Sequence, residues 1–273
     1  MDLNTITTVE RPKTRDELPA WRDGDAYLAG GTWLFSEPQP KLARLIDLAS
    51  LGWEPLTVSE TGLAIAATCT VAQLENAVLP KAWSAKPLIG QCCHAFLASF
   101  KIWNAATVGG NICLSLPAGP MIALTAALDG ICTLWAPDGS ERQVAVEDFV
   151  QGPLHNVLRP GELMRRIDLP EDALRRRSAF RQMSLAAFGR SAALLIGTHT
   201  AAGGFVLTIT ASTPRPLKLS FDALPAPRAL RDAIEAHVNG DWYDDVHGAR
   251  AWRRHMTLTF AEEIRCELAE PAR

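Results

Sequence analysis

The sequence predicts an α+β fold, and three features of the chain carry that prediction. Short strands and tight turns fill the first ~55 residues, helices of buried character and hairpins follow up to Pro170, and the texture changes beyond it. At 273 residues, 48% of them apolar, the chain has material for one large or two modest domains with real cores. Charged residues make up 21%, which reads as globular and not disordered.

The elements follow in order. Ala26 to Ala29 reads as a strand running into Gly30-Gly31, and Arg44 to Leu48 as another. Leu56 to Val58 and Leu63 to Thr68 flank the turn residues Ser59 to Gly62, the pattern of a hairpin. Thr70-Val71-Ala72-Gln73 has the form of a capping box and opens a helix that ends before Pro80. Pro87 to Phe100 is apolar on most sides and predicts a buried helix. Pro117 to Asp129 predicts another, with Pro120 in its first turn. Ile131 to Ala136 and Arg142 to Val146 form a hairpin around Pro137 to Ser140, and Leu163 to Leu169 alternates weakly and stops at Pro170. Beyond that, Ser191 to Thr198 and Phe205 to Ala211 flank Ala202-Gly203-Gly204 as a second hairpin. A Pro-rich connector, Pro214 to Pro227, leads to helices around Ala229 to Val238 and Ala249 to Leu268. The expected boundary is near Pro170, separating residues 1–170 from a smaller unit, 171–273.

Charge and cysteine usage exclude several classes. The balance is 27 basic against 30 acidic residues, and the densest basic stretch is Arg175 to Arg177, so no dedicated nucleic-acid binder is expected. Met1 to Glu10 is polar without a leader pattern, and nothing approaches the ~18 apolar residues of a membrane span, so a cytoplasmic protein without a membrane span is expected. Cys69, Cys92, Cys93, Cys113, Cys132 and Cys266 show no C-x-x-C spacing, and adjacent Cys92 and Cys93 cannot form an unstrained bridge. They are expected to be buried, reduced thiols, with no iron–sulfur cluster on this chain.

Two segments carry the functional signal: Leu28-Ala29-Gly30-Gly31-Thr32-Trp33 and Thr107-Val108-Gly109-Gly110-Asn111. Glycine lets a ligand approach the backbone closely, and successive N–H groups form a concave nest for anionic oxygens. A single Gly-Gly pair is an ordinary turn signal. Two of matching design could clamp the two anionic centres of a pyrophosphate without net positive charge on the protein. Neither fits a Rossmann fingerprint or a P-loop.

At these residues the chain resembles the FAD-binding domain family of molybdopterin dehydrogenases. The family's first loop, A-G-G-T-like, stands as Ala29 to Thr32; its second, T-[IV]-G-G-N, is matched by Thr107 to Asn111, with the common upstream Asn at Asn104. A later family segment appears as Asp148 to Gly152, Leu158 to Leu163 and Ile167 to Pro170, followed by Phe180-Arg181. The resemblance covers roughly residues 20 to 220. It implies a two-lobed FAD-binding domain of the vanillyl-alcohol-oxidase-like (PCMH) type, with lobes of roughly residues 1–55 and 56–170, plus a C-terminal α+β domain closing over the flavin. It implies FAD contacts at Ala29, Gly30, Gly31, Thr32, Trp33, Thr107, Val108, Gly109, Gly110 and Asn111. Met164 matches a position approaching the flavin ring, and Arg181 one where a Lys stands near the cofactor.

The job implied is electron transfer. Substrate is hydroxylated at a molybdopterin centre on a large subunit, and electrons pass through 2Fe–2S clusters on a small subunit to FAD, then to NAD or another acceptor. The alternatives are a stand-alone flavin oxidoreductase, or an accessory subunit that has lost FAD. Three departures from the family pattern stand out. Pro120 replaces an Asp that hydrogen-bonds around the cofactor, which removes a polar contact, while Trp33 and Trp103 replace smaller or charged residues and are expected to pack in the core. No residue of this chain is expected to act as nucleophile, general base or metal ligand. His94 on its apolar helix is expected to be a core or interface residue, and His237, His247 and His255 to lie at the surface or at helix ends. Asp244-Asp245 shows no partner pattern of a catalytic pair.

Overall fold

In the computed structural model, which describes residues 3–200 and 202–270, most of these runs become the elements expected. Met1, Asp2 and the last three residues lie outside the described residues. The strands β1 (Thr8–Glu10), β2 (Asp25–Leu28) and β3 (Arg44–Asp47) form a parallel sheet in the order β1-β3-β2. Asp25 and Arg44 stand opposite each other in that sheet. There the Arg44 Nε and Nη2 donate to the two Asp25 oxygens at 2.8 and 2.6 Å, both side chains buried.

The second sheet is antiparallel, in the order β4 (Leu56–Ser59), β5 (Gly62–Ala66), β10 (Leu163–Pro170), β6 (Ile131–Trp135), β7 (Glu141–Ala145). Its middle strand comes last in the chain, so the two predicted hairpins are joined through β10. A two-stranded ribbon, β8 (Val150–Gly152) with β9 (His155–Asn156), precedes it. The helices α1 (Val71–Glu75), α2 (Lys86–Ala95), α3 (Phe100–Trp103), α4 (Val108–Leu114), α5 (Pro120–Ala127), α6 (Val146–Phe149) and α7 (Glu171–Arg175) complete this part. The capping box forms as expected, with Thr70 Oγ1 accepting from Gln73 N–H and Gln73 Oε1 from Thr70 N–H. Every residue of α5 is buried, as an all-round apolar helix must be, and Pro120 is its first residue.

Beyond Pro170, β11 (Arg177–Met183), β12 (Ala193–His199), β13 (Phe205–Thr210) and β14 (Leu217–Phe221) form an antiparallel meander, followed by α8 (Pro227–Val238) and α9 (Arg250–Ala269). Both faces of this meander are covered. Ala193, Leu195, Leu207 and Ile209 pack with residues of α8 and α9, while Leu194 and Ile196 join the core that contains α5.

Four expectations are corrected here. The helix predicted to Phe100 stops at Ala95, because the Phe96 carbonyl accepts from Trp103 Nε1 at 2.9 Å and the chain turns before α3. The Pro-rich connector contains a strand, β14, whose strict alternation of Leu217, Leu219 and Phe221 survives at a sheet edge between prolines. His94 is exposed and hydrogen-bonds Glu75 at 2.9 Å instead of packing in a core. Among the cysteines, all free, Cys69, Cys92, Cys93 and Cys132 are buried, but Cys113 is half-buried and Cys266 exposed.

Two guanidinium forks set the acid response. Hydrogen bonds from Arg44 hold the Asp25 carboxyl below its ordinary range, and hydrogen bonds from Arg142 do the same for Glu162. A carboxylate depressed in the folded state stabilises it fully above the unfolded-state pKa. That contribution is lost as pH falls through the folded value. Denaturation midpoints measured between pH 7 and pH 3 are therefore expected to fall below about pH 4. Replacing Asp25→Asn is expected to lower the neutral-pH midpoint and to flatten the acid limb; an unchanged acid limb would refute the assignment.

Candidate functional site

The site grows from the two glycine loops. As β2 ends at Leu28 the chain enters the first loop, where Gly31 has φ +68, a left-handed conformation that glycine adopts without steric cost. The Phe35 N–H returns to the Gly31 carbonyl and the Ser36 N–H to that of Trp33, which curls the loop. Among the described residues the N–H groups of Gly30, Gly31, Thr32 and Trp33 have no backbone or side-chain acceptor within the chain. Four consecutive free donors are what an anion-binding nest requires.

The second loop differs from expectation. Thr107 is the N-cap of α4, its Oγ1 accepting from Gly110 N–H at 3.0 Å. The N–H groups of Val108, Gly109 and Asn111 donate to the carbonyls of Cys69, Ala67 and Thr107. No second backbone nest is left, because this glycine pair packs a short helix against the β5–α1 turn. What the segment presents to the cleft is Gly110 and the side chains of Thr107 and Asn111. Asn111 Oδ1 accepts from Met121 N–H at 3.1 Å, which joins α4 to the start of α5.

The two loops meet at Gly30. A Cβ on Gly30 would lie 1.8 Å from the Ala105 carbonyl oxygen, so only glycine allows this approach. Around the junction lies a cleft of about 750 Å³, within the usual range of cofactor sites. The first loop forms one wall; residues 95–98 and the face of α4 form another. Phe188, Gly189, Arg190, Ser191 and His247 come from the C-terminal part. No carboxylate lines the cleft, and Arg190 is its single Lys or Arg among the described residues. Tyr27, also on the wall, donates its hydroxyl to the Gly161 carbonyl at 2.8 Å, and burial pushes its pKa up to about 12.

Of the residues singled out from the sequence, Ala29, Gly30, Gly31, Thr32, Trp33, Thr107, Gly110 and Asn111 line the cleft together. Val108 and Gly109 are buried behind it in α4. Met164 and Arg181 are not brought there. Met164 is 2% exposed and pairs with Leu134 between β10 and β6, where its apolar chain fills the core. Arg181 on β11 forms ion pairs with Glu263 and Glu267 of α9, the nearest opposite charges. Trp33 departs from the core expectation and stands half-buried on the cleft wall, whereas Trp103 packs against the core as expected. Pro120 lines the cleft and offers no polar group there. Sequence reasoning missed Tyr27, Arg190 and His247, which reach the cleft from positions with no local motif. Among the described residues, no group of three or more His, Cys, Asp or Glu is placed to hold a metal ion, and no helix is long and apolar enough to cross a membrane.

Comparison with known proteins points the same way. The family described as FAD binding domain in molybdopterin dehydrogenase matches residues 6–172. Caffeine dehydrogenase subunit beta from a Pseudomonas species is 31% identical over 123 residues, 41% of this chain and 39% of that protein. The carbon monoxide dehydrogenase medium chain of Afipia carboxidovorans is 30% identical over 148 residues, 52% of this chain and 50% of the relative. The matched segments thus span half or less of those relatives. Over nearly whole chains the fold is similar to that in reconstituted CO dehydrogenase from Oligotropha carboxidovorans, with TM-score 0.82 and 22% identity, covering 97% of this chain and 99% of the other. Quinoline 2-oxidoreductase from Pseudomonas putida 86 contains a similar chain, with TM-score 0.78 and 18% identity over 98% of both. At such identities the likeness is one of fold.

Proposed function

Because the chain belongs to the family of FAD-binding domains of molybdopterin dehydrogenases, we propose that it is the FAD-carrying electron-transfer subunit of a cytoplasmic molybdenum hydroxylase. In this reading a small partner subunit with 2Fe–2S clusters delivers electrons, a large molybdopterin-binding subunit hydroxylates the substrate, and NAD or another acceptor takes the electrons away. The names of the relatives, a medium chain and a subunit beta, support a multi-subunit assembly. Residues 1–170 form the FAD-binding unit and 171–273 the unit that closes the cleft.

The observation that carries the proposal is the cleft walled by both glycine loops, with no carboxylate among its described lining residues and four free N–H groups in one of the loops. Gly30 to Trp33 would hold the diphosphate through the backbone, while Thr107 and Asn111 would add side-chain hydrogen bonds from the facing wall. The apolar surfaces of Trp33, Phe96 and Ile102 would exclude water and cover the ring systems. When bound, FAD supplies one- and two-electron exchange, and the protein supplies orientation and electrostatics.

The test is the absorbance spectrum of the purified chain, with the cofactor released by denaturation and identified. A flavin spectrum near one FAD per chain is expected. Gly110→Glu, which places a carboxylate on the cleft wall and a Cβ 2.8 Å from Thr107 Oγ1, is expected to weaken FAD binding at least about 100-fold, the cost of a like charge desolvated against a diphosphate. A chain that stays colourless with excess FAD, or a Gly110→Glu variant with undiminished affinity, would overturn the assignment.

A further inference from the structure

A cofactor with a diphosphate brings about two negative charges into the cleft, and taking them out of water requires several donors or an opposing charge. The first loop offers four N–H groups, but the backbone N–H groups of Val108 to Asn111 are already satisfied within the chain. One run of free donors is therefore present where two were expected. Among the described lining residues the one permanent positive charge is that of Arg190.

Arg190 differs from the arginines that hold the fold together. Arg44, Arg142, Arg176, Arg181 and Arg253 each pair with a carboxylate, whereas the Arg190 guanidinium makes no hydrogen bond or ion pair within the described chain. The two residues that follow it are held in place. Ser191 Oγ accepts from Gln182 Nε2 at 2.8 Å, Ala192 N–H donates to Met183 O at 2.8 Å, and the Ala192 carbonyl accepts from buried Arg253 at 2.9 Å. Arg190 itself is exposed on the cleft wall, and its guanidinium is free to meet a ligand there, beside a segment held in place.

We propose that Arg190 is the ion-pair partner of the cofactor's diphosphate, supplied by the C-terminal part of the chain opposite the Gly30–Trp33 nest. The planar guanidinium matches two phosphate oxygens at once, which a Lys ammonium does not. The C-terminal part thereby contributes affinity as well as cover. This inference rests on the flavin reading above.

The experiment titrates the full-length apo chain with ADP, FAD and riboflavin by calorimetry, at low and at physiological ionic strength, for wild type, Arg190→Gln and Arg190→Lys. Arg190→Gln is expected to weaken ADP and FAD about 10- to 100-fold at low salt, the range for a charged hydrogen-bond partner. It should leave riboflavin, which has no phosphate, unchanged, and reduce the salt dependence of ADP binding. Arg190→Lys should recover part of the loss. Equal ADP affinity in wild type and Arg190→Gln overturns the proposal, as does an equal loss for riboflavin, which would indicate general damage to the cleft. A wild type that binds ADP through Arg190 but not FAD would overturn the flavin reading and leave Arg190 as a diphosphate ligand; a wild type that binds none of the three overturns both.

Discussion

Gly30→Ala is expected to abolish cofactor binding at ordinary FAD concentrations, weakening it by about 100-fold or more, for one added methyl group. The new Cβ would lie 1.8 Å from the Ala105 oxygen, 2.7 Å from the Ala105 carbonyl carbon and 3.2 Å from the Ala106 Cα. All three obstacles are backbone, so no rotamer change relieves the clash, and the two walls must separate by about 1 Å or more. Displacements of this size are the ones that cost binding sites their geometry. The loss of stability should be smaller, about 1–3 kcal/mol for overpacking, because the core behind α4 does not pass through this contact. The measurement is FAD affinity by flavin fluorescence alongside thermal unfolding. Gly152→Ala is the control, since a Cβ there meets nothing within 4 Å. A Gly30→Ala variant that binds FAD like wild type would show that the loops do not form the cofactor site.

How much of this was legible from residue order depends on how local the physics is. The hairpins at 56–68 and 131–146, the capping box at Thr70 and the first-turn position of Pro120 are each decided within a few residues, and each appears in the fold. The two glycine pairs converge on one cleft, which composition and periodicity alone could only suggest. What could not be read is which N–H groups stay free. Thr107-Val108-Gly109-Gly110 resembles the first loop as a string, yet its donors are consumed by Ala67, Cys69 and the Thr107 hydroxyl, partners fixed by tertiary packing. Arg190 and His247 reach the cleft from the β11–β12 connection and from the segment before α9, and no spacing announces them. One missed signal was present all the same. Arg253, Thr257, Phe260, Ala261, Ile264 and Leu268 follow a helical stripe, and all six are buried. The charge at its head was placed on the inner face.

Arg253→Met is accordingly expected to destabilise the chain by about 3–5 kcal/mol, the usual cost of breaking a buried charge pair. At roughly 2–4 °C per kcal/mol this corresponds to a fall of roughly 10 °C in Tm. Arg253 is 1% exposed, and its guanidinium joins the loop just before its own helix to two distant points, Ala192 and Ala211. Nε donates to the Gly248 carbonyl at 2.8 Å and Nη1 to that of Ala192 at 2.9 Å. Nη1 also reaches the Ala211 carbonyl, and Nη2 reaches the Asp245 carboxylate. Ala211 has φ +65, a conformation that costs a non-glycine residue about 1–3 kcal/mol unless its surroundings hold it. Methionine fills similar space but leaves three carbonyls and a carboxylate without their donor. Arg254→Met next door is the comparison. Its side chain is 48% exposed and paired with Glu235, so its removal should cost less than about 1 kcal/mol. Two of the four anchors adjoin cleft residues, Ala192 beside Ser191 and Gly248 beside His247, so Arg253→Met should also weaken ADP binding by the refolded chain at temperatures well below its Tm. Arg253→Lys, which keeps the charge but not the fork, should fall between the two variants in Tm. If Arg253→Met and Arg254→Met unfold at the same temperature, the buried network does not hold the C-terminal wall in place.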